Sequence, residues 1–209
     1  MNKLILLRHG QSQWNLENRF TGWKDVPLTN KGIAEAEKAG ELLRKNNINI
    51  DVVFSSVLER ANKTAEIALS EAGLKHLWFG KTLNMIKNKS LNERDYGALV
   101  GLNKKETADK FGEDQVHIWR RSYDVPPPNG ESLKDVVERV SPYFEKSIRT
   151  LLNQNKNVII VAHGNSLRAI MINIGLYKPE EISNIELPTG KPFCIVYEKN
   201  KILDYFYLS

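Results

Sequence analysis

One cysteine, Cys194, stands in 209 residues. That excludes an internal disulfide framework and any zinc site built from several thiolates. No apolar run approaches the roughly 18–20 residues of a membrane-spanning helix. The opening segment, MNKLILLRHG, meets a charge after only a short apolar stretch. It lacks the form of a signal peptide, so a cytoplasmic protein without membrane partners is expected. Internal repeats, low-complexity tracts and interdomain linkers are also missing, so residues 1–209 read as a single catalytic domain. Lys and Arg number 30 against 25 Asp and Glu, a net charge of +5, yet no block of five or six consecutive basic residues occurs. The excess suits a small anionic partner and does not point to nucleic acid. Neither a His-x-x-x-His pair nor a carboxylate cluster is present, and no metal is expected.

What is there is an alternation of strands and helices. Leu4-Ile5-Leu6-Leu7, within Lys3–Arg8, and Val158-Ile159-Ile160-Val161-Ala162 are continuous apolar runs, the mark of strands buried on both faces. Val52-Val53-Phe54 is a shorter one. Thr29 caps a predicted helix over 30–45, with Ile33, Ala36, Ala39 and Leu43 at helical spacing. Leu58, Ala61, Ala65 and Ala68 line a second helix, stopped at Gly73. Residues 74–102 lack a clean period and read mostly as loop. Asn103 with Glu106 resembles a capping box before a short helix ended by Gly112, and another short helix spans 116–121. Pro126-Pro127-Pro128-Asn129-Gly130 breaks the chain. Ser132 then caps a long helix carrying Leu133, Val136, Val140, Phe144, Ile148 and Leu151, kinked at Pro142. A helix over 167–175 follows, and a terminal hairpin joins 193–198 to 202–208 around Lys199-Asn200-Lys201. The pattern predicts an α/β domain, a three-layer α/β/α sandwich on a mainly parallel sheet.

Two of the buried strands end in His-Gly: one runs into Arg8-His9-Gly10, the other into His163-Gly164-Asn165-Ser166. Ligands of open α/β sheets bind beyond the carboxyl ends of the strands, where both histidines would project if the strands are neighbours. Each glycine lets a ligand approach the backbone, and Ser12, Asn165 and Ser166 can present N–H groups or hydroxyls to an anion. Arginine opposes a cation and suits a phosphate. The chemistry expected is attack on phosphorus by a neutral imidazole, with arginines and a second, protonated histidine stabilising the equatorial oxygens. Glu93, within Leu91-Asn92-Glu93-Arg94-Asp95-Tyr96-Gly97, is the candidate proton donor to the leaving oxygen. Burial and nearby phosphate are expected to raise its pKa. His76 and His117 read as surface or partly buried residues, Cys194 as a core thiol, and Trp14, Trp23, Trp78 and Trp119 as packing residues.

Arg8-His9-Gly10-Gln11-Ser12-Gln13-Trp14-Asn15 resembles the Arg-His-Gly segment of the histidine phosphatase superfamily. Asn18–Trp23, Ser56–Ala61, Leu91–Gly97 with Gly101–Lys104, Trp119-Arg120-Arg121, His163–Arg168 and Ile185–Gly190 extend the resemblance over nearly the whole chain. They make it closest to the superfamily's 2,3-bisphosphoglycerate-dependent phosphoglycerate mutases. The resemblance implies the histidine phosphatase (phosphoglycerate mutase-like) fold. It also implies interconversion of 2- and 3-phosphoglycerate through a phosphohistidine primed by 2,3-bisphosphoglycerate, without a metal. By position, His9 would carry the phosphoryl group, and Glu93 would be the acid and base. Arg8, Arg60 and His163 would surround the group, with Asn15, Gly164 and Asn165. Ser12, Thr21, Gly22, Arg94, Tyr96, Lys104, Arg120 and Arg121 would hold the rest of the substrate.

Gln11 stands where many members have Glu, and Asp95 where many have His. The link from Arg121 to Glu131 is shorter than in long members. The chain ends at Ser209, after its last predicted strand, where long members continue in a mobile tail. Two other readings stay open beside the mutase: a phosphatase of broader substrate range, which would lack the carboxylate anchors, and a noncatalytic phospholigand-binding module, which would lack His9, His163 or Glu93. A homo-oligomer, dimer or tetramer, is compatible with these residues and not decided by them.

Overall fold

The computed structural model describes residues 1–199 and 201–209. In chain order its elements begin with β1 (Asn2–Arg8), α1 (Gln13–Leu16), α2 (Asn30–Lys45), β2 (Val52–Ser55) and α3 (Glu59–Glu71). Short strands β3 (Trp78–Phe79), β4 (Thr82–Leu83) and β5 (Met85–Lys87) follow, then α4 (Lys104–Phe111), α5 (Glu113–Arg121), α6 (Leu133–Tyr143) and α7 (Thr150–Asn153). The chain closes with β6 (Val158–Ala162), α8 (Gly164–Asn173), α9 (Pro179–Ile182), β7 (Phe193–Glu198) and β8 (Lys201–Tyr207).

The main sheet has the order β5-β2-β6-β1-β7-β8. β5, β2, β6 and β1 are mutually parallel, and β7 runs against both of its neighbours. Successive side chains leave a strand on opposite faces, and the apolar runs of β1 and β6 are divided accordingly. Leu4, Leu6, Val158, Ile160 and Ala162 pack with Leu133, Val136, Val140 and Ile170 of α6 and α8. Ile5, Leu7, Ile159 and Val161 pack with Ala39, Leu43, Ala65, Ala68 and Leu69 of α2 and α3. The sheet is therefore the middle of three layers. The helices that follow β1 and β2 cover one face and those flanking β6 the other, which makes the β1–β6 junction a switch point with a crevice at its carboxyl end.

Local chemistry sets the element ends. Thr29 Oγ1 accepts from Gly32 N–H at the start of α2. Ser132 and Asp135 form a reciprocal cap on α6. Asn103 accepts from the N–H groups of Lys105 and Glu106.

Several expectations need correction. Ile33 is exposed, and Gly32 and Gly40 take buried places on α2 instead, because the helix approaches its neighbours too closely there for a larger side chain. Residues 74–102 are not merely loop: they hold the β3–β4 hairpin and β5, the edge of the main sheet. With three residues, two of them exposed, β5 is too short to show a period. A π-helical stretch, Phe144–Arg149, follows Pro142 and joins α6 to α7. Its wider turn moves the apolar face by one position, so Leu152 is buried where Leu151 was expected. α5 and α8 each begin three residues earlier than the sequence pattern suggests. Asn200, which the sequence reading put between the two strands of the terminal hairpin, lies outside the described residues. Among the described residues no helix is long and apolar enough to cross a membrane.

The turn after β1 is pressed against the start of α2. A Cβ on Gly10 would lie 2.1 Å from Gly32 O, and one on Gly32 would lie 2.1 Å from Gln11 O. Backbone meets backbone at both places, so neither can yield cheaply. Gly32→Ala is expected to destabilise the protein by about 1–3 kcal/mol, read as a lower urea midpoint. An unchanged midpoint would show that the turn after His9 is not held by this contact.

Candidate active site

The β1–β6 register pairs Arg8 with Ala162. One residue further on, His9 and His163 stand side by side, their ring centroids 5.0 Å apart. The side-chain alternation sends both histidines toward the face covered by α2 and α3, and Arg8 toward the other. Arg60, in the first turn of α3, reaches the same place: its Nε–H faces His9 Nε2 at 3.4 Å. Its two other nitrogens donate to Gly22 O and Lys24 O, each at 2.9 Å.

His9 is 2% exposed. Its Nδ1 lies 2.6 Å from Gly10 O. A carbonyl only accepts, so Nδ1 carries the hydrogen and Nε2 presents a lone pair. Burial, then Arg60 and Arg8, push the His9 pKa well below the ordinary histidine value. Burial, Arg60, His9 and Arg8 do the same to His163. The sequence expectation of a protonated second histidine is thus corrected for the ligand-free protein: both rings are neutral at pH 7. Arg60 is also depressed by burial, to about 10, and remains a cation.

Glu93 accepts at Oε1 from Arg94 N–H (2.8 Å), Asn165 N–H (3.2 Å) and Asn165 Nδ2 (3.0 Å). Burial pushes its pKa up. The Arg94 N–H, Arg60, Arg8 and Asn165 together outweigh that, and the carboxyl sits below its ordinary value. The protein's own groups thus lower this carboxyl, whereas the sequence expectation was an elevation. The backbone around Glu93 is clamped as well. Trp23 Nε1 donates to Glu93 O at 2.6 Å, and Arg139 of α6 donates to Ser90 O at 2.8 Å and Glu93 O at 3.3 Å. Arg139 also forms a paired hydrogen bond to the Glu131 carboxylate, 2.8 Å on each side. Trp23 is thus more than a packing residue.

A cavity of about 570 Å³ is lined by Arg8 and Gly164, the chain neighbours of the two histidines, though not by the histidines themselves. Eight of the residues expected at the site line it: Arg8, Glu93, Tyr96, Lys104, Arg120, Arg121, Gly164 and Asn165. Lys104 begins α4 and the arginine pair ends α5. His9, Arg60 and His163 are buried beside it. Ser12, Asn15, Thr21, Gly22 and Arg94 do not line it. Ser12 and Asn15 cap each other across the first turn of α1. Thr21 is buried, and Gly22 offers its carbonyl to Arg60. Arg94 is 1% exposed and braces the cavity wall, through Arg120 O (3.0 Å) and the Tyr96 ring beneath its guanidinium.

Arg168 also lines the cavity. The sequence reading gave it no role, although helical spacing puts it on the same face of α8 as Gly164. Glu186, Leu187, Pro188 and Thr189 form another wall, and three arginines hold the segment 183–190 that carries them. Arg8 donates to Leu187 O (2.8 Å), Arg168 to Ile185 O (2.8 Å) and Arg121 to Ser183 O (3.4 Å). The lining thus offers Arg8, Lys104, Arg120, Arg121 and Arg168 against Glu93 and Glu186. Arg8 Nε and His163 Nδ1 are buried without a hydrogen-bond partner. Such a site suits a small ligand bearing several negative charges. Among the described residues no group of three or more His, Cys, Asp or Glu could hold a metal ion. Cys194 lies in the core, its thiol pushed up to about 11 by burial, and His76 bonds to Ile50 O.

Residues 4–203 match the model of the family described as "Histidine phosphatase superfamily (branch 1)", and the chain belongs to that superfamily. A protein of Parvibaculum lavamentivorans named 2,3-bisphosphoglycerate-dependent phosphoglycerate mutase is 48% identical, over 94% of this chain and 90% of the relative. One of the same name from Zymomonas mobilis is 49% identical, over 100% of this chain and 99% of the relative. Within the superfamily the chain is a member of the mutase family these relatives represent. The solved structure titled "Bacillus stearothermophilus YhfR" superposes with a TM-score of 0.79 at 25% identity, over 97% of this chain and 94% of that one.

The histidines carry a pH signature. Their folded pKa values are depressed, so the unfolded chain binds protons that the folded chain does not once pH falls to about 6.5. The stability they contribute is complete above that value and declines below it. Glu93, also depressed, adds a further loss only below the ordinary carboxylate range. Urea unfolding of the ligand-free protein is expected to show falling stability from roughly pH 7.5 to 5.5, with a smaller fall in the His9→Gln/His163→Gln double variant. Equal falls in both would show that the pair does not titrate as described.

Proposed function

We propose that this protein interconverts 2-phosphoglycerate and 3-phosphoglycerate, a step of glycolysis and gluconeogenesis, in the cytoplasm and with residues 1–209 acting as one catalytic domain. The reaction passes through a phosphohistidine at His9. The observation that carries this reading is the His9 Nε2 lone pair, fixed by the Gly10 carbonyl and faced by Arg60, beside a cavity rich in cations.

His9 Nε2 attacks phosphorus while the bond from phosphorus to the substrate oxygen breaks. Glu93 supplies the proton that the leaving oxygen takes and later recovers it from the hydroxyl that attacks phosphohistidine. Arg8, Arg60 and the partnerless His163 Nδ1 meet the equatorial oxygens. A bound phosphate dianion opposes the arginine field and moves the Glu93 pKa up. Lys104, Arg120, Arg121 and Arg168 hold the carboxylate and the second phosphate, with Tyr96 and Asn165 on the adjoining wall. Transfer from phosphohistidine to the bound hydroxyl forms a bisphosphoglycerate, which reorients on these anchors and returns its other phosphoryl group to His9; the same anchors give the bound hydroxyl an advantage over water for the phosphohistidine. The same donors fit 2,3-bisphosphoglycerate, whose chemistry is to supply the phosphoryl group that primes His9.

Isomerisation of 3-phosphoglycerate and release of phosphate, measured together, test the reading. Turnover is expected to need 2,3-bisphosphoglycerate, to survive EDTA and to be inhibited by vanadate. His9→Ala is expected to abolish both reactions and the phosphoryl adduct seen by intact mass. Glu93→Gln should lower kcat about 10²–10⁴-fold with a smaller effect on KM. Phosphate release without isomerisation would assign a phosphatase instead, and turnover by His9→Ala would remove the nucleophile assignment.

A further inference from the structure

Ser56 directly follows β2, the strand beside β6, and is fully buried. Its Oγ lies 2.7 Å from His163 Nε2 and accepts from Leu58 N–H at 3.2 Å. Asn62 fixes the backbone there, donating to Ser56 O at 2.7 Å and to Ser55 Oγ at 3.0 Å. A serine hydroxyl has one hydrogen to donate. Among the described residues the imidazole nitrogen is the acceptor within reach of it.

We propose that Ser56 is a positioning residue that locks His163 in the tautomer carrying its hydrogen on Nδ1, so that a neutral imidazole donates to the transferring phosphoryl group. The partnerless, buried Nδ1 is then a donor waiting for an anionic oxygen. The reverse tautomer would leave the serine hydrogen unpaired in the interior. It would also turn a lone pair toward the incoming anion, two costs from one proton. The adjacent ring obeys the complementary rule. The Gly10 carbonyl fixes the His9 hydrogen on Nδ1 and leaves Nε2 as the lone pair. Two imidazoles 5.0 Å apart thus present opposite characters to one phosphorus, a nucleophile from His9 and a donor from His163. Each is set by a neighbour that never touches the substrate.

The donor role of His163 rests on the mutase reading; its tautomer does not. The experiment has an arm for each. Histidine-selective ¹⁵N NMR of the ligand-free protein, above the histidine titration range, is expected to show His163 protonated at Nδ1 and bare at Nε2. Ser56→Ala is expected to lose that signature and Ser56→Thr, which keeps the hydroxyl, to retain it. In the isomerisation assay Ser56→Ala should lower kcat about tenfold or more with KM little changed, and Ser56→Thr should recover most of the loss. A His163 hydrogen on Nε2 in the wild-type protein overturns the proposal, even if no variant folds. An unchanged tautomer or an unchanged kcat in Ser56→Ala also overturns it. Nδ1–H in a protein that fails to isomerise phosphoglycerate would leave Ser56 as the tautomer lock and sink the mutase reading alone.

Discussion

The parallel pairing of β1 with β6 is the constraint from which the rest of the site follows. Both strands are buried on both faces, so each side chain has an assigned helix layer to fill. A slip of one residue would exchange the two layers along the strand. It would also turn His9 away from Arg60 and His163. The hydrophobic core thus fixes more than stability. It sets the distance and facing of two imidazoles at the carboxyl end of the sheet, and β2 adds Ser56 to the same row. The placement of the candidate site is a by-product of packing that burial alone would enforce.

A second theme is buried positive charge held without a direct ion pair among the described residues. Arg60 is buried on two carbonyls and an imidazole, and Arg8 keeps a buried N–H unpaired. Interiors normally penalise such groups. Their field depresses both histidines and, against the effect of burial, Glu93. The site therefore gathers neutral imidazoles, an ionised carboxylate and guanidiniums around one cavity. In the proposed reaction a phosphate dianion would satisfy the guanidiniums and return Glu93 toward the range in which it can carry a proton.

Around that centre lies a ring of residues that act by holding others. Arg139 and Glu131 pair at about one-fifth exposure, and together with Trp23 they pin the turn that carries Glu93. Arg94 braces Tyr96 and the end of α5, where Arg120 and Arg121 stand. Arg8, Arg121 and Arg168 tie segment 183–190 by its carbonyls while also facing the cavity. Wall and ligand thus share the same donors, so a ligand that recruits these guanidiniums competes with their hold on that segment.

The sequence by itself determined the alternation of elements, the cap at Thr29, the two strand-ending His-Gly pairs and the anionic character of the ligand. Those features are written in local periodicity and in residue type, which act over a few neighbouring positions. The motif resemblance extended this to Glu93, Lys104 and the arginine pair, which no period would have singled out. Tertiary structure alone decided that Arg94 is a brace and that Arg168 and residues 186–189 line the cavity. It likewise decided that Glu93 is depressed, that His163 is neutral and that Ser56 bears on His163. The reason is physical: each depends on which charges and carbonyls from remote segments come within a few ångströms, and on how much water they lose there. Neither quantity can be counted along the chain.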